Sequence, residues 1–227
     1  MISHEHKCIF IHIPKCAGTS IKYFLFPDHH IDWFEPDYEV IHGYCHDRKI
    51  FMQHATSKQL LETSLVTRGQ WNNYYKFTFV RNPWDRAVSG YRWLMNDRKI
   101  QDSFANYLNK TGKFTKVLND IGAKNYRGEH VIPQSDYFSE EGIDKLDFVG
   151  RFENFSEDIQ KVLKAIDCSE GFNTHSNKSE RKIHYSKYYS NTLRDKVATI
   201  YQNDIEKFKY TFEDQRTFID RLKFKFN

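Results

Sequence analysis

The sequence predicts an α/β fold with a central, mostly parallel sheet flanked by helices. Three observations carry this. Short apolar runs of strand length recur along the chain: CIFIHI at 8–13, RKIFMQ at 48–53, KFTFV at 76–80 and DFVGR at 147–151. Stretches with apolar residues at helical spacing lie between and after them. Several strand-to-helix junctions carry turn or cap residues, such as Gly18-Thr19-Ser20 and Asn82-Pro83. Strands that alternate with helices in this way pair in parallel and are covered on both faces.

Taken in order, Cys8–Ile13 is a buried strand closed by Pro14, and Ala17–Phe26 is a helix that starts at a Gly-Thr-Ser turn. Arg48–Gln53 is a second strand, followed by a helix over Thr56–Glu62 with Thr56 or Ser57 as its cap. Lys76–Val80 is a third strand; Asn82 caps the next helix, Pro83 takes its first position, and Trp84–Met95 keeps Val88, Tyr91 and Leu94 or Met95 on one face. The polar stretch Asn96–Ile132 reads as two short helices with loops. After the strand Asp147–Arg151, the amphipathic helix Ser156–Ile166 turns Ile159, Val162, Leu163 and Ile166 inward, with Glu157 and Asp158 at its positive end. Ser169–Lys187 is polar, basic and aperiodic, and Ser190–Phe212 is expected to be the longest helix. No repeat or linker is visible, so residues 1–227 are expected to form a single domain.

Composition narrows the classes. Hydrophobic residues at 39% and aromatics at 16% suffice for a core, which excludes wholesale disorder. No apolar run approaches the roughly 20 residues of a transmembrane span. The net charge of +4 is too mild to suggest a nucleic-acid partner, and its placement is uneven: −1 before Lys178 and +5 from there on. Cys8, Cys16, Cys45 and Cys168 show no CxxC or metal spacing and read as free thiols of a reducing compartment. The eleven histidines form no HExxH and close no tetrahedral set, so no metal is expected.

Two segments carry chemistry. In IHIPKCAGTS, residues 11–20, a strand, a tight small-residue turn and a helix start create an anion cradle. Helix N-terminal amides and the helix dipole favour phosphate or sulfate, Ala17 and Gly18 allow close approach, Thr19 and Ser20 add hydroxyls and Lys15 adds a cation. The lysine precedes the glycine, so this is not a Walker A loop. In FVRNPWDRAVSGY, residues 79–91, Arg81 leaves a strand end on the same expected edge, and Ser89 follows two helical turns on. Arginine suits bidentate phosphate binding; the ordinary alternative is a salt bridge from Arg81 to Asp85.

These two motifs, with GRFENFSEDIQKVL at 150–163 and HYSKYYSNTLRDKVATIYQNDIEKFKYTF at 184–212, resemble the sulfotransferase family that uses 3′-phosphoadenosine 5′-phosphosulfate (PAPS), in its carbohydrate branch of Golgi and heparan-sulfate type. The chain looks like a soluble, bacterial-type member. The resemblance covers most of the chain, is weakest over Asn96–Ile132, and implies a P-loop-like three-layer fold. It implies that Lys15, Cys16, Ala17, Gly18, Thr19 and Ser20 hold the 5′-phosphosulfate, and that Lys15 stabilises the leaving oxygen. Arg81 and Ser89 would bind the 3′-phosphate, and Trp84 would belong to the core. Lys178, Ser179, Arg181 and Lys182 fall in a segment that covers the nucleotide in relatives; a solvated charge run is the ordinary explanation. Pro133-Gln134 resembles a position near the substrate groove.

The resemblance also implies a histidine or glutamate base after the second strand, a position His54 fills with an imidazole that titrates near neutrality; the ordinary alternative is a capping or surface histidine at the start of the Thr56 helix. His12, as a strand residue, is a weaker candidate, and His42 and His46 lie in a loop that could reach the acceptor. The expected reaction is in-line transfer of a sulfuryl group from PAPS to a hydroxyl, foremost on a carbohydrate or glycolipid, without a metal. The alternatives are a P-loop kinase using ATP and a non-catalytic glycan- or nucleotide-binding module. Animal Golgi relatives carry an N-terminal anchor, whereas this chain begins almost at its first strand, so a cytoplasmic location is expected. Acceptor identity and oligomeric state stay open.

Overall fold

In chain order, the first elements are strands β1 (Ile2–Ser3) and β2 (Cys8–Ile11), helix α1 (Gly18–Leu25), strands β3 (Tyr44–Cys45) and β4 (Ile50–Phe51), helices α2 (Ser57–Glu62) and α3 (Arg68–Asn73), and strand β5 (Tyr75–Val80). Helices α4 (Pro83–Arg98), α5 (Phe104–Asn109) and α6 (Thr115–Asn119), strand β6 (Phe148–Arg151), and helices α7 (Phe155–Ala165), α8 (Asn191–Ile200), α9 (Gln202–Phe208) and α10 (Phe218–Leu222) follow. This computed structural model describes residues 1–27, 29, 32–139, 145–172 and 183–222. The chain divides into two compact units. The first comprises Met1–Val80, Gly122–Lys124 and Asp136–Lys178; the second comprises Arg81–Ile121, Asn125–Ser135 and Ser179–Asn227.

The first unit contains the expected α/β sheet, with strand order β1-β2-β5-β6. β1 is antiparallel to β2, whereas β2, β5 and β6 run parallel. All four residues of β2 and five of the six in β5 are buried, which is the burial of parallel strands covered on both faces. Phe10 stacks on Phe77 across these strands at 5.1 Å, and the Thr78 hydroxyl donates to the Ile11 carbonyl at 2.6 Å. At the entry of the β5–β6 pair, the Asp147 carboxylate accepts from the Lys76 amide at 2.8 Å and pairs with the Lys76 ammonium at 2.7 Å. At its exit, Asp158 of α7 accepts from the Arg151 amide at 2.8 Å. That carboxylate therefore ties helix to strand as well as meeting the helix dipole.

The expected strand Arg48–Gln53 is corrected. Only Ile50–Phe51 is extended, and it pairs with Tyr44–Cys45 in a separate two-stranded sheet rather than joining the central one. Lys49 has a left-handed φ of 53°, which ends extended backbone before Ile50. The Gln53 side chain then accepts from the Gly43 amide at 3.0 Å, folding the segment back on itself. The Met52–His54 turn that follows is a 3₁₀ helix. Thr56, not Ser57, caps α2, through a reciprocal pair with Gln59: the Thr56 hydroxyl accepts at 3.1 Å and the Gln59 carbonyl oxygen at 2.9 Å.

In the second unit, α4 begins as expected, with Pro83 in its first turn and the Asn82 side chain accepting from the Trp84 amide at 3.1 Å. Trp84 is core: it is buried, its indole donates to the Arg194 carbonyl at 3.0 Å, and its own carbonyl accepts from the Tyr189 hydroxyl at 2.8 Å. The single long helix expected over Ser190–Phe212 is two helices, broken at Tyr201, and α4 with 16 residues is longer than either. Leu193, Val197, Tyr201 and Phe208 are buried, while Ile200 is exposed. Two anchors account for the break. The Tyr201 hydroxyl donates to the Val131 carbonyl at 3.1 Å, and buried Asp204 accepts from the amides of Gln134 at 2.8 Å and Ser135 at 2.7 Å. A one-residue break leaves the apolar spacing nearly intact, so periodicity reads through it.

Candidate functional site

In the first unit the segment expected to cradle an anion directly follows β2. Lys15 (φ 71°) and Ala17 (φ 66°) both adopt the left-handed conformation. For residues other than glycine this is strained, and such strain persists where the surroundings impose it, notably at ligand loops. Ala17 is the N-cap of α1 and has no side chain able to accept from the first-turn amides. α2, α3, α4, α5 and α8 are instead capped by Thr56, Thr67, Asn82, Ser103 and Ser190. Gly18 is required by space: a Cβ there would lie 1.7 Å from His12 Nε2. Lys15, Ala17 and Thr19 are half-buried, whereas Cys16 and Ser20 are buried. Cys16 Sγ points back to the Pro14 carbonyl at 3.8 Å, so its contribution to the loop is mainly backbone.

Under this loop lies a group of histidines. His12 follows β2, stacks on Phe10 at 5.5 Å and meets the His54 ring at 4.6 Å. Its Nδ1 is sealed from solvent without a hydrogen-bond partner. Burial, then the neighbouring His54 and the chain's amino terminus, hold its pKa well below the ordinary imidazole range, and the Lys15 charge adds to this. His54 is 7% exposed, and its Nδ1 lies 3.3 Å from the His12 carbonyl oxygen. His54 thus reaches the end of β2 although the strand preceding it is outside the central sheet. His42 is buried, with Nδ1 3.3 Å from the Asp32 carbonyl; burial, followed by the charge of Lys22, lowers its pKa to about 3. Trp33 spans the two, at 5.3 Å from the His42 ring and 6.4 Å from the His54 ring. His46 is exposed and packs edge-on against Tyr44.

In the second unit Arg81 is 6% exposed, and its guanidinium donates to Asp85 Oδ2 from Nε at 2.9 Å and Nη2 at 2.7 Å. Asp85 and half-buried Ser89 are one turn apart on α4. The salt bridge to Asp85, the ordinary alternative to phosphate binding, is present. Fully buried Gln134 fixes the Arg81 backbone: its side chain accepts from the Arg81 amide at 2.8 Å and donates to the Arg81 carbonyl at 2.9 Å. Asp204 holds Gln134 in turn.

Lys178, Ser179, Arg181 and Lys182 lie outside the described residues, as does the 224–226 tail. Several groups had no sequence signal. Asp204 read as one more polar helix residue, and Glu129, whose carboxyl burial pushes up to about 7, sat in the segment of weakest pattern. His130, stacked on Trp93 at 4.2 Å, escaped notice for the same reason. A cleft of about 420 Å³ in the second unit is lined among others by Tyr107, Lys110, Pro133, Lys196 and Tyr201; of the candidate positions named from the sequence it contains Pro133, and none of those expected to bind the donor or act as base.

The first unit is thus an α/β sheet whose first parallel strand runs into a strained loop, and a buried arginine follows the next parallel strand in the chain. The sequence profile of the sulfotransferase family matches residues 1–211, and the chain belongs to that family. It is 23% identical over 225 residues to carbohydrate sulfotransferase 14 of Danio rerio, in a match that covers 89% of this chain and 56% of that protein. The chain thus spans little more than half the length of that relative. It is 29% identical over 123 residues to an uncharacterized protein of Archaeoglobus fulgidus, covering 52% of this chain and 92% of that one. No solved structure matches the chain. None of the described helices is long and apolar enough to cross a membrane.

Proposed function

We propose that this sulfotransferase moves a sulfuryl group from PAPS to a hydroxyl of a carbohydrate acceptor. The observation that carries the reading is the strained, uncapped start of α1, bearing Lys15, directly above His12 and His54. An N-terminus whose amides meet no side-chain cap suits an anionic ligand that supplies the missing acceptors.

In this reading Lys15 and the loop through Ser20 take the 5′-phosphosulfate, and Arg81 with Ser89 takes the 3′-phosphate. The family match runs through both units, which supports treating them as one sulfotransferase domain. With the Nδ1–H of His54 given to the His12 carbonyl, the neutral ring carries its lone pair on Nε2. Nε2 takes the proton of the acceptor hydroxyl as the oxygen attacks sulfur, and the bond from sulfur to the bridging 5′-phosphate oxygen breaks. Charge grows on that oxygen, where Lys15 and the loop amides offset it; such electrostatic stabilisation dominates group transfers of this kind. Arg81, held at both backbone groups by Gln134, suits a fixed phosphate position better than a mobile lysine would. The carbohydrate acceptor is favoured by the similarity to carbohydrate sulfotransferase 14.

The test is transfer of labelled sulfate from PAPS to a panel of neutral and acidic oligosaccharides. Lys15→Ala and His54→Ala should each lower turnover by roughly a hundredfold or more while remaining folded. Full activity in both variants would remove the site assignment.

A further inference from the structure

Within the first unit, His12 touches both the start of α1 and His54. The edge of its ring lies against Gly18, the first residue of α1: a Cβ there would fall 1.7 Å from Nε2, 2.0 Å from Cδ2 and 2.4 Å from Cε1. The ring stacks on Phe10 with the planes 15° apart, and its centroid lies 4.6 Å from that of His54. The His12 carbonyl oxygen lies 3.3 Å from His54 Nδ1. One residue thus meets the loop with its ring edge and the proposed base with both ring and backbone.

An imidazole is a poor choice here if packing is all it does. Its Nδ1 is sealed from solvent with no hydrogen-bond partner, a cost to stability that an apolar side chain would not carry. Orphaned buried polar atoms of this kind mark places where function overrides stability. Burial, then the like charge of His54, keeps the His12 ring neutral; the amino terminus, His42 and Lys15 act in the same direction. Two imidazolium ions at this separation would repel, so a neutral His12 leaves the proton of the pair to His54.

We propose that His12 is a positioning residue for the base: its ring, held by Phe10 and Gly18, fixes the His54 ring relative to the α1 loop, and its carbonyl fixes the His54 tautomer with the lone pair on Nε2. This rests on the sulfotransferase reading for the task of His54; the fixed tautomer is independent of it. Which imidazole nitrogen carries the proton is set by the hydrogen bond the other makes. Misplacing a reacting group by about 1 Å costs up to about a hundredfold in rate.

The test has one arm without substrate and one with it. ¹⁵N NMR of histidine-labelled protein reads the tautomer of neutral His54, with its signals assigned by their loss in His54→Ala. The wild type should show the Nδ1–H form, and His12→Ala a mixture with the Nε2–H form. Ile9→Ala makes an apolar cavity on the other face of β2 and should leave the tautomer unchanged. In the turnover arm, His12→Ala should lower kcat by roughly ten- to hundredfold, with KM for PAPS changed by roughly threefold or less. His12→Asn, planar and neutral, should recover part of that loss, and it carries both arms if His12→Ala does not fold. In a His54→Ala background, His12→Ala should cost no further turnover. A His12→Ala protein with the wild-type tautomer would overturn the proposal, as would a loss that adds in full to that of His54→Ala. A tautomer that depends on His12 in a protein that transfers no sulfate would uphold the positioning and remove the sulfotransferase reading.

Discussion

The side-chain amide of Gln134 pairs with the backbone of Arg81 at both groups, accepting from its N–H at 2.8 Å and donating to its C=O at 2.9 Å. A glutamine therefore occupies the place a neighbouring strand would take just beyond the end of β5. Gln134→Leu leaves the Arg81 amide and carbonyl, and part of the Asp204 carboxylate, buried without partners. This should cost about 3 kcal/mol of stability in urea titrations. Because it frees Arg81, it should also weaken 3′,5′-ADP more than 5′-AMP, which lacks the 3′-phosphate. Equal losses for the two nucleotides would show that Gln134 does not act through Arg81.

Gly18→Ala puts a methyl group within 1.7 Å of His12 Nε2, a ring sealed between Phe10 and His54. The ring cannot yield cheaply, so the loop or the histidines must move. Overpacking of this kind costs about 1–3 kcal/mol, and donor affinity should fall with stability. A Gly18→Ala protein that melts and binds 3′,5′-ADP like the wild type would contradict the close packing of loop and histidine.

Thr56→Ala removes the reciprocal cap that starts α2 two residues after His54. The loss is about 1 kcal/mol, which lowers the melting temperature by about 3 °C in a chain of this size. Affinity for 3′,5′-ADP should not change, because Thr56 caps α2 and not α1. Calorimetry reads both quantities.

His42 makes stability depend on pH. Its folded pKa is about 3 against 6.5 when unfolded, so below pH 6.5 the unfolded chain takes up a proton that the folded chain refuses. The stability is fully present above about pH 6.5 and is lost as pH falls towards 3. At pH 5 the loss from His42 alone is about 2 kcal/mol. His12, depressed in the same direction, steepens the slope. Urea titrations at pH 7 and pH 5 should show this fall, and His42→Asn should reduce it by about the His42 share.

The sheet and the loop were legible because they depend on local rules. CIFI and KFTFV are continuous apolar runs, Asn82-Pro83 is a helix start, and PKCAGTS combines a turn with a helix entry. Arg48–Gln53 misled because strand propensity does not say which sheet a short segment joins; Lys49 and the Gln53–Gly43 bond decide that. The break at Tyr201 was hidden because helical spacing survives one non-helical residue. His54 could be picked out, but its nearness to His12 crosses 42 residues of chain. Gln134 and Asp204 were invisible as a pair for the same reason, since 70 residues separate them.

The proposed function requires a donor phosphorylated at both its 5′ and 3′ positions, with Lys15 and Arg81 each needed to bind it. Isothermal titration of 3′,5′-ADP against ATP with Mg²⁺ tests it most directly, because no acceptor is needed. The account predicts clear binding of 3′,5′-ADP that is weakened by both Lys15→Ala and Arg81→Lys, with ATP bound at least tenfold less tightly. A preference for ATP, or 3′,5′-ADP binding untouched by both substitutions, would contradict it.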